Sequence, residues 1–151
     1  MKKLLYRCGG GNQMSEFRNK STVESMTIVT RRAIQSYAEA VENHNPLYYS
    51  REDASQAGFD GVIAPAAFHV QYKQIKLAIG SEKWLPQGAV HTKQQAKFCG
   101  IIKEGDYLYL STETIENLDA KGRKVIEYVS TAKNQRDEIV YEGKMTNLIP
   151  K

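Results

Sequence analysis

The sequence predicts an α+β domain in which an antiparallel sheet of about five strands wraps around one long helix. Three observations predict this fold. Residues after Ala89 alternate apolar and polar side chains over four successive stretches, a β-branched stretch lies near the start, and the longest apolar stripe at helical spacing lies between them. At 151 residues, with 41% hydrophobic and 25% charged side chains, the chain can bury one core.

The first sixteen residues differ in composition from the rest. The glycine-rich segment 9–13 offers little for packing, so we predict a flexible tail over residues 1–16 and a single domain over residues 17–151. The apolar stretch at residues 4–6 is too short for a secretory signal or a membrane span. A cytoplasmic protein that does not associate with membranes is therefore expected.

The first half of the domain is predicted to contain one strand and two helices. β-branched residues favour a strand from Val23 to Val29. Thr30 is a candidate N-cap for a helix that extends to about Glu42, where an Asn-Pro sequence follows. Ser50 begins a capping box for a short helix that ends at Gly58.

The longest helix is predicted to begin at Pro65, because proline is tolerated at the first helical position. Its apolar stripe consists of Phe68, Tyr72, Ile75 and Ile79, and Gly80 ends it.

Four strands are predicted after this helix, at about residues 89–99, 107–118, 124–134 and 139–149. Turn-forming residues lie at each of the three joints. Consecutive long strands with short connections run antiparallel, and we predict that these four form a meander.

Charge and cysteine content exclude several classes of function. The net charge is +4 with no block of five like charges, and basic clusters interleaved with aromatics are missing, so no nucleic-acid partner is expected. A mild positive field suits a phosphorylated small molecule or an acidic carrier protein. Cys8 and Cys99 have no metal-ligand or redox spacing and are predicted to be free thiols. The three histidines lie far apart, so no metal site is expected.

Two motifs in fixed order carry a family resemblance. Segment 43–48 reads Asn-His-Asn-Pro-Leu-Tyr after a predicted helix, and segment 61–68 reads Gly-Val-Ile-Ala-Pro-Ala-Ala-Phe before the long helix. Over residues 20–149 the chain resembles the MaoC-like hydratase/dehydratase family, whose fingerprint is a helix ending in Gly-Asp-x-Asn-Pro-Leu-His. The Asn-Pro-Leu-Tyr and Ile-Ala-Pro versions resemble the N-terminal halves of two-domain dehydratases and the substrate-binding subunits of heterodimeric ones. The resemblance implies the hot-dog fold.

The resemblance also indicates what this chain lacks. The family's catalytic aspartate corresponds to Asn43 and its catalytic histidine to Tyr48. An amide exchanges no proton near neutral pH, and a tyrosine with a pKa near 10 is a poor base. Loss of one general acid–base group typically costs about 10²–10⁴ in rate. His44 lies between the two positions and is the remaining candidate base.

The family's binding residues correspond to a second set of positions. Pro65, Ala66 and Ala67 match the segment whose backbone N–H groups hold the thioester oxygen, although an ordinary proline-initiated helix explains them equally well. The further substrate-binding positions implied by the resemblance are Asn45, Phe68 and Tyr72. The family's chemistry needs no metal or organic cofactor.

The leading hypothesis is an acyl-thioester-binding subunit of an R-specific 3-hydroxyacyl-thioester dehydratase (enoyl-CoA hydratase in reverse) that lacks its own catalytic dyad. Acyl-CoA and acyl carrier protein share the same phosphopantetheine arm, so both are candidate ligands. The protein partner would be a catalytic hot-dog subunit, or a second copy in a homodimer. The alternatives are a non-enzymatic acyl-thioester sensor, a self-sufficient hydratase that uses His44 with Tyr48, and a hot-dog thioesterase. The last is disfavoured because residues 65–80 contain no Asp or Glu.

Overall fold

The computed structural model of the protein describes residues 19–68 and 87–149. These residues form one five-stranded sheet, two α-helices and two short 3₁₀ helices. In chain order the elements are β1 (Asn19–Ile28), α1 (Arg31–Ala40), a first 3₁₀ helix (Pro46–Tyr48), α2 (Arg51–Gln56), a second 3₁₀ helix (Ala66–Phe68), β2 (Val90–Phe98), β3 (Tyr107–Leu118), β4 (Lys124–Lys133) and β5 (Ile139–Leu148). The prediction of an α+β fold with a sheet of about five strands is confirmed.

The order of strands in the sheet is β1-β3-β4-β5-β2, and each neighbouring pair is antiparallel. The predicted four-strand meander is therefore wrong in one respect. Strands β3, β4 and β5 follow one another, but β2 lies beyond β5 and not beside β3. The end of β2 and the start of β3 are separated by three strand spacings, about 14 Å. The connecting residues 99–106 are long enough to cross this distance.

One face of the sheet forms the core. Along β4 the buried side chains alternate with partly exposed ones, and the buried set is Ile126, Tyr128, Ser130 and Ala132. Toward one end of this face, Leu108 and Ala132 join a cluster with Ile34, Val62 and Phe68. Amphipathic strands of this kind bury one face and solvate the other. Tyr48, which follows α1, packs against the same cluster as Val62, which follows α2, so both loops contact the sheet at this end.

Both predicted N-caps are present. The Thr30 hydroxyl accepts a hydrogen bond from the Ala33 N–H at 3.2 Å, and the Ser50 hydroxyl accepts one from the Asp53 N–H at 3.2 Å. Each cap satisfies an N–H group that has no partner within the helix. Helix α2 ends at Gln56, two residues before Gly58, whose φ of +87° suits a helix terminus.

Two predicted boundaries differ from the structure. Strand β1 begins at Asn19, four residues before the predicted start, because its polar first residues pair with β3 through the backbone. Of the predicted long helix, which is expected to begin at Pro65, the structure describes only the first residues, and Ala66–Phe68 form a 3₁₀ helix; the rest of the predicted span, including Tyr72, lies outside the described residues. Within the described ranges no helix has the length and apolar character needed to cross a bilayer.

Candidate functional site

The two motifs meet in the folded chain. The N–H of Ile63 donates a hydrogen bond to the carbonyl of Leu47 at 3.2 Å. This contact joins the Asn-Pro-Leu-Tyr segment to the Ile-Ala-Pro segment, which are separated in sequence by α2. As a result Tyr48 lies on the same cavity wall as Ile63, Ala64 and Pro65.

The loop before Tyr48 is held by its own asparagines. The side-chain oxygen of Asn43 accepts from the Asn45 N–H at 3.3 Å, and that of Asn45 accepts from the Leu47 N–H at 3.1 Å. The hydroxyl of Tyr49 donates to the Asn43 carbonyl at 3.2 Å. Asparagine side chains commonly stabilise turns in this way. Both amide oxygens that could face a ligand are therefore used inside the loop.

Glu104 fixes the second segment. Its N–H donates to the Val62 carbonyl at 2.9 Å, and its carboxylate accepts from the Val62 N–H at 3.3 Å. Ala64 continues the pairing by donating to the Ile102 carbonyl at 2.7 Å. Segment 62–64 is thus paired with segment 102–104 and is carried to the edge of the cavity.

Two arginines compensate the charge of Glu104. Its carboxylate accepts hydrogen bonds from the Nε of Arg51 and from the Nε of Arg31, the latter at 2.9 Å. The bond from Arg51, together with those from Arg31 and the Val62 N–H, lowers the pKa of Glu104 to about 2, against the opposing effect of partial burial. Glu104 therefore stays ionised and links α1 and α2 to segment 62–64.

A β-bulge shapes the opposite wall. Tyr141 pairs with Ala132 and Ile139 pairs with Lys133, so Val140 is the extra residue on β5. Val140 and Tyr141 are consecutive, yet both are buried in the core cluster. The Val140 carbonyl accepts from the N–H groups of Cys99 and Gly100, at 2.9 and 3.3 Å. Bulges of this kind redirect side chains beside functional sites.

These walls enclose an open cavity of about 450 Å³. Its described lining is Tyr48, Ile63, Ala64, Pro65, Ala66, Phe98, Cys99, Gly100, Ile101, Ile102, Val140 and Tyr141. This described lining contains two tyrosines and one cysteine but no aspartate, glutamate, lysine or histidine. Burial raises the pKa of Tyr141, so its phenol stays protonated at neutral pH. The cavity is suited to holding an uncharged group.

The structure brings some predicted site residues together and separates others. Tyr48, Pro65 and Ala66 line the cavity. Asn43, His44 and Asn45 are exposed on the preceding loop, and Ala67 is exposed on the second 3₁₀ helix. None of these four belongs to the cavity's described lining.

Phe68 lies in the core. It is fully buried, and its ring meets that of Tyr37 edge to face with centroids 5.7 Å apart. In the described part of the chain, no group of three or more His, Cys, Asp or Glu side chains is placed to hold a metal ion.

Sequence reasoning missed one side of the cavity. Phe98, the segment 99–102, Val140 and Tyr141 were predicted only as parts of strands or of the segment between strands. One signal for Val140 was available, since two adjacent apolar residues at 140–141 break the alternation of a half-buried strand. Phe98 joins the cavity through its pairing with Tyr141, and that pairing has no local signal.

Comparison with known proteins gives consistent results at the level of sequence. Residues 19–143 match the family model described as FAS1-like, dehydratase domain region. The chain is 27% identical over 123 residues to the UPF0336 protein ML1910 of Mycobacterium leprae, which covers 76% of this chain and 74% of that relative.

Solved structures agree in fold. A chain of the HadBC (3R-hydroxyacyl-ACP dehydratase) complex of Mycobacterium tuberculosis matches with a TM-score of 0.68 and 23% identity, covering 86% of this chain and 96% of that one. The R-hydratase PhaJ1 of Pseudomonas aeruginosa matches with a TM-score of 0.68 and 20% identity, covering 90% and 84%. The MaoC-like dehydratase of Rhodospirillum rubrum matches with a TM-score of 0.69 and 19% identity, covering 92% and 97%. The hot-dog fold and the MaoC-like resemblance are thereby confirmed.

Proposed function

The chain belongs to the family of FAS1-like dehydratase domain regions, and from this premise we propose that it is the acyl-thioester-binding subunit of an R-specific 3-hydroxyacyl-thioester dehydratase. In this proposal the chain holds the thioester, and a second hot-dog chain supplies the aspartate and histidine that transfer protons. Acyl-CoA and acyl carrier protein are both candidate carriers of the thioester.

The cavity supports binding of an acyl thioester. Its volume of about 450 Å³ falls within the range of roughly 300–1,000 Å³ common for small-molecule sites. Its lining is mainly apolar, and the small side chains of Ala64 and Ala66 leave room for a thioester beside the start of the second 3₁₀ helix. Helix starts suit the negative charge that builds on a thioester oxygen during proton transfer at the α-carbon.

The observation that carries the proposal is that the described lining contains no aspartate, glutamate or histidine that could act as the general base. Tyr48 occupies the wall where the family's histidine is expected, and no described Asp, Glu or His lines the cavity. Such a pocket can bind and orient a thioester, but its described lining offers none of the residue types that the family uses as a general base. The proton transfer is therefore assigned to a partner.

Strand β2 supports the presence of a partner chain. It lies at the edge of the sheet, and each of its nine residues is exposed. Edge strands offer unpaired backbone groups and are usually covered, bulged or charged in stable proteins. Phe98, the last residue of β2, and Cys99, which follows it, also line the cavity, so a chain docked on β2 would lie beside the ligand.

The test is an assay of enoyl-CoA hydration on three samples. These are the full chain alone, a MaoC-like subunit that retains the aspartate and histidine alone, and the mixture of the two. We expect negligible turnover by the chain alone and hydration by the mixture above that of the added subunit. Robust hydration by the chain alone would contradict the proposal. Ligand binding without any gain in the mixture would favour the alternative of a non-enzymatic acyl-thioester-binding protein.

A further inference from the structure

Tyr141 occupies an unusual position on β5. Its side chain is 2% exposed and lies along the strand over Gly143, the next residue on the same face. A Cβ atom at position 143 would overlap the Tyr141 hydroxyl and lie 3.0 Å from its Cε1 atom. The ring therefore uses the space that any other residue at position 143 would fill.

Phe98 lies beside Tyr141 on the neighbouring strand. The two are register partners of β2 and β5, and their ring centroids are 6.1 Å apart. The next pair on this face, Ala96 and Gly143, has small side chains or none. Among the described residues of this face, neither Ala96 nor Gly143 has a side chain that could fill the space of the Tyr141 ring.

The described lining of the cavity ends at the same place. It includes Phe98 and Tyr141 but neither Ala96 nor Gly143, although these follow directly on the same face. We infer that Tyr141, folded over Gly143, closes the cavity toward the middle of the sheet and restricts its occupant to short-chain acyl thioesters. This inference rests on the proposed function, because it names the class of acyl chain held in that cavity.

The physical basis is the cost of leaving methylenes in water. In an open apolar channel each additional buried methylene strengthens binding about fourfold. Where a ring blocks the channel, further methylenes gain no burial, and affinity stops increasing with chain length. Tyr141 is held in place by the core cluster, so the chain of the ligand cannot easily displace it.

The experiment is calorimetric titration of the full chain with acetyl-, butyryl-, octanoyl- and dodecanoyl-CoA, which are saturated and cannot be hydrated. The variants are Tyr141→Ala and, should alanine prevent folding, Tyr141→Leu. Tyr128→Leu is the matched control, since Tyr128 is also a buried tyrosine on this face but belongs to a different cluster. Circular dichroism and thermal unfolding establish that each variant is folded.

We expect octanoyl-CoA to bind the unmodified chain and Tyr128→Leu no more tightly than butyryl-CoA. In the folded Tyr141 variant it should bind at least about tenfold more tightly than butyryl-CoA. If the unmodified chain bound octanoyl-CoA about tenfold more tightly than butyryl-CoA, the inference would be overturned and the proposed function would stand. The same holds if a folded Tyr141 variant bound octanoyl-CoA no more tightly than butyryl-CoA. Failure of every thioester to bind the folded, unmodified chain would instead overturn the proposed function.

Discussion

Val62 and Glu104 exchange two hydrogen bonds, one through both backbones at 2.9 Å and one from the Val62 N–H to the Glu104 carboxylate at 3.3 Å. The same carboxylate binds Arg31 and Arg51, so a single side chain connects two helices to the cavity wall. Gly61 precedes this contact with a φ of +140°, a region of backbone space suited to glycine, and a Cβ there would lie 3.4 Å from Glu104 Cγ. The local backbone is thus built around Glu104.

Glu104→Gln is expected to lower the free energy of unfolding by about 1–3 kcal/mol, because hydrogen bonds to a charged acceptor are replaced by neutral ones and two arginines lose their counter-charge. The measurement is urea unfolding at pH 7. Glu138→Gln is the matched control, since Glu138 pairs with Arg136 while 56% of its side chain is exposed. The control should change the free energy of unfolding far less, because water screens this exposed ion pair. Equal effects in the two variants would count against the role given to Glu104.

Acid should weaken this contact selectively. The folded pKa of Glu104, about 2, is lower than the ordinary value of 4.5, so the unfolded chain binds the proton more readily. The stabilisation is therefore fully present above pH 4.5 and is lost as the pH falls from 4.5 toward 2. Unfolding curves at several pH values should show the difference between the unmodified chain and Glu104→Gln narrowing over this window. A constant difference would contradict the assigned pKa.

Cys99 offers a direct measure of cavity occupancy. It is exposed, is a free thiol and lines the cavity. In a Cys8→Ser background, we expect a saturating short-chain acyl-CoA to slow alkylation of Cys99 several-fold, because the ligand covers the thiol. Lys121→Cys in a background without Cys8 and Cys99 is the control, since position 121 lies in the β3–β4 turn at the other end of the sheet. Slowing of both thiols would indicate a nonspecific effect.

Restoring the family's dyad tests whether the pocket lacks only its proton-transfer groups. We expect Asn43→Asp with Tyr48→His to hydrate a short-chain enoyl-CoA at least about tenfold faster than the unmodified chain. Tyr48 already lines the cavity, while Asn43 lies on the exposed loop before it, so the histidine should contribute the larger share. Asn45→Asp with Tyr48→His is the matched control, because aspartate preserves the cap at position 45. Similar rates in the two double variants would argue against a specific role for position 43.

Local sequence signals predicted the elements well and their assembly less well. Thr30 and Ser50 could be identified as caps because a cap depends on neighbours within three residues. The position of β2 beyond β5 could not, because alternation of side chains indicates a strand and its buried face but not its neighbour. The cavity shows the same division. Tyr48 and Pro65 belong to contiguous motifs, whereas Phe98 and Tyr141 meet only through strand pairing.

The bulge at Val140 has a consequence for how such a cavity can change over evolutionary time. A deletion of this one residue would restore regular pairing between β4 and β5 and remove the Val140 side chain from the cavity wall, while Ile139 stayed opposite Lys133 and the register from Tyr141 to Leu148 stayed as it is. A change in length at the bulge therefore alters the cavity wall without altering the strand pairing of the sheet behind it. A single inserted or deleted codon here can remodel the ligand site and leave the remaining strand pairs, and the scaffold they build, unchanged.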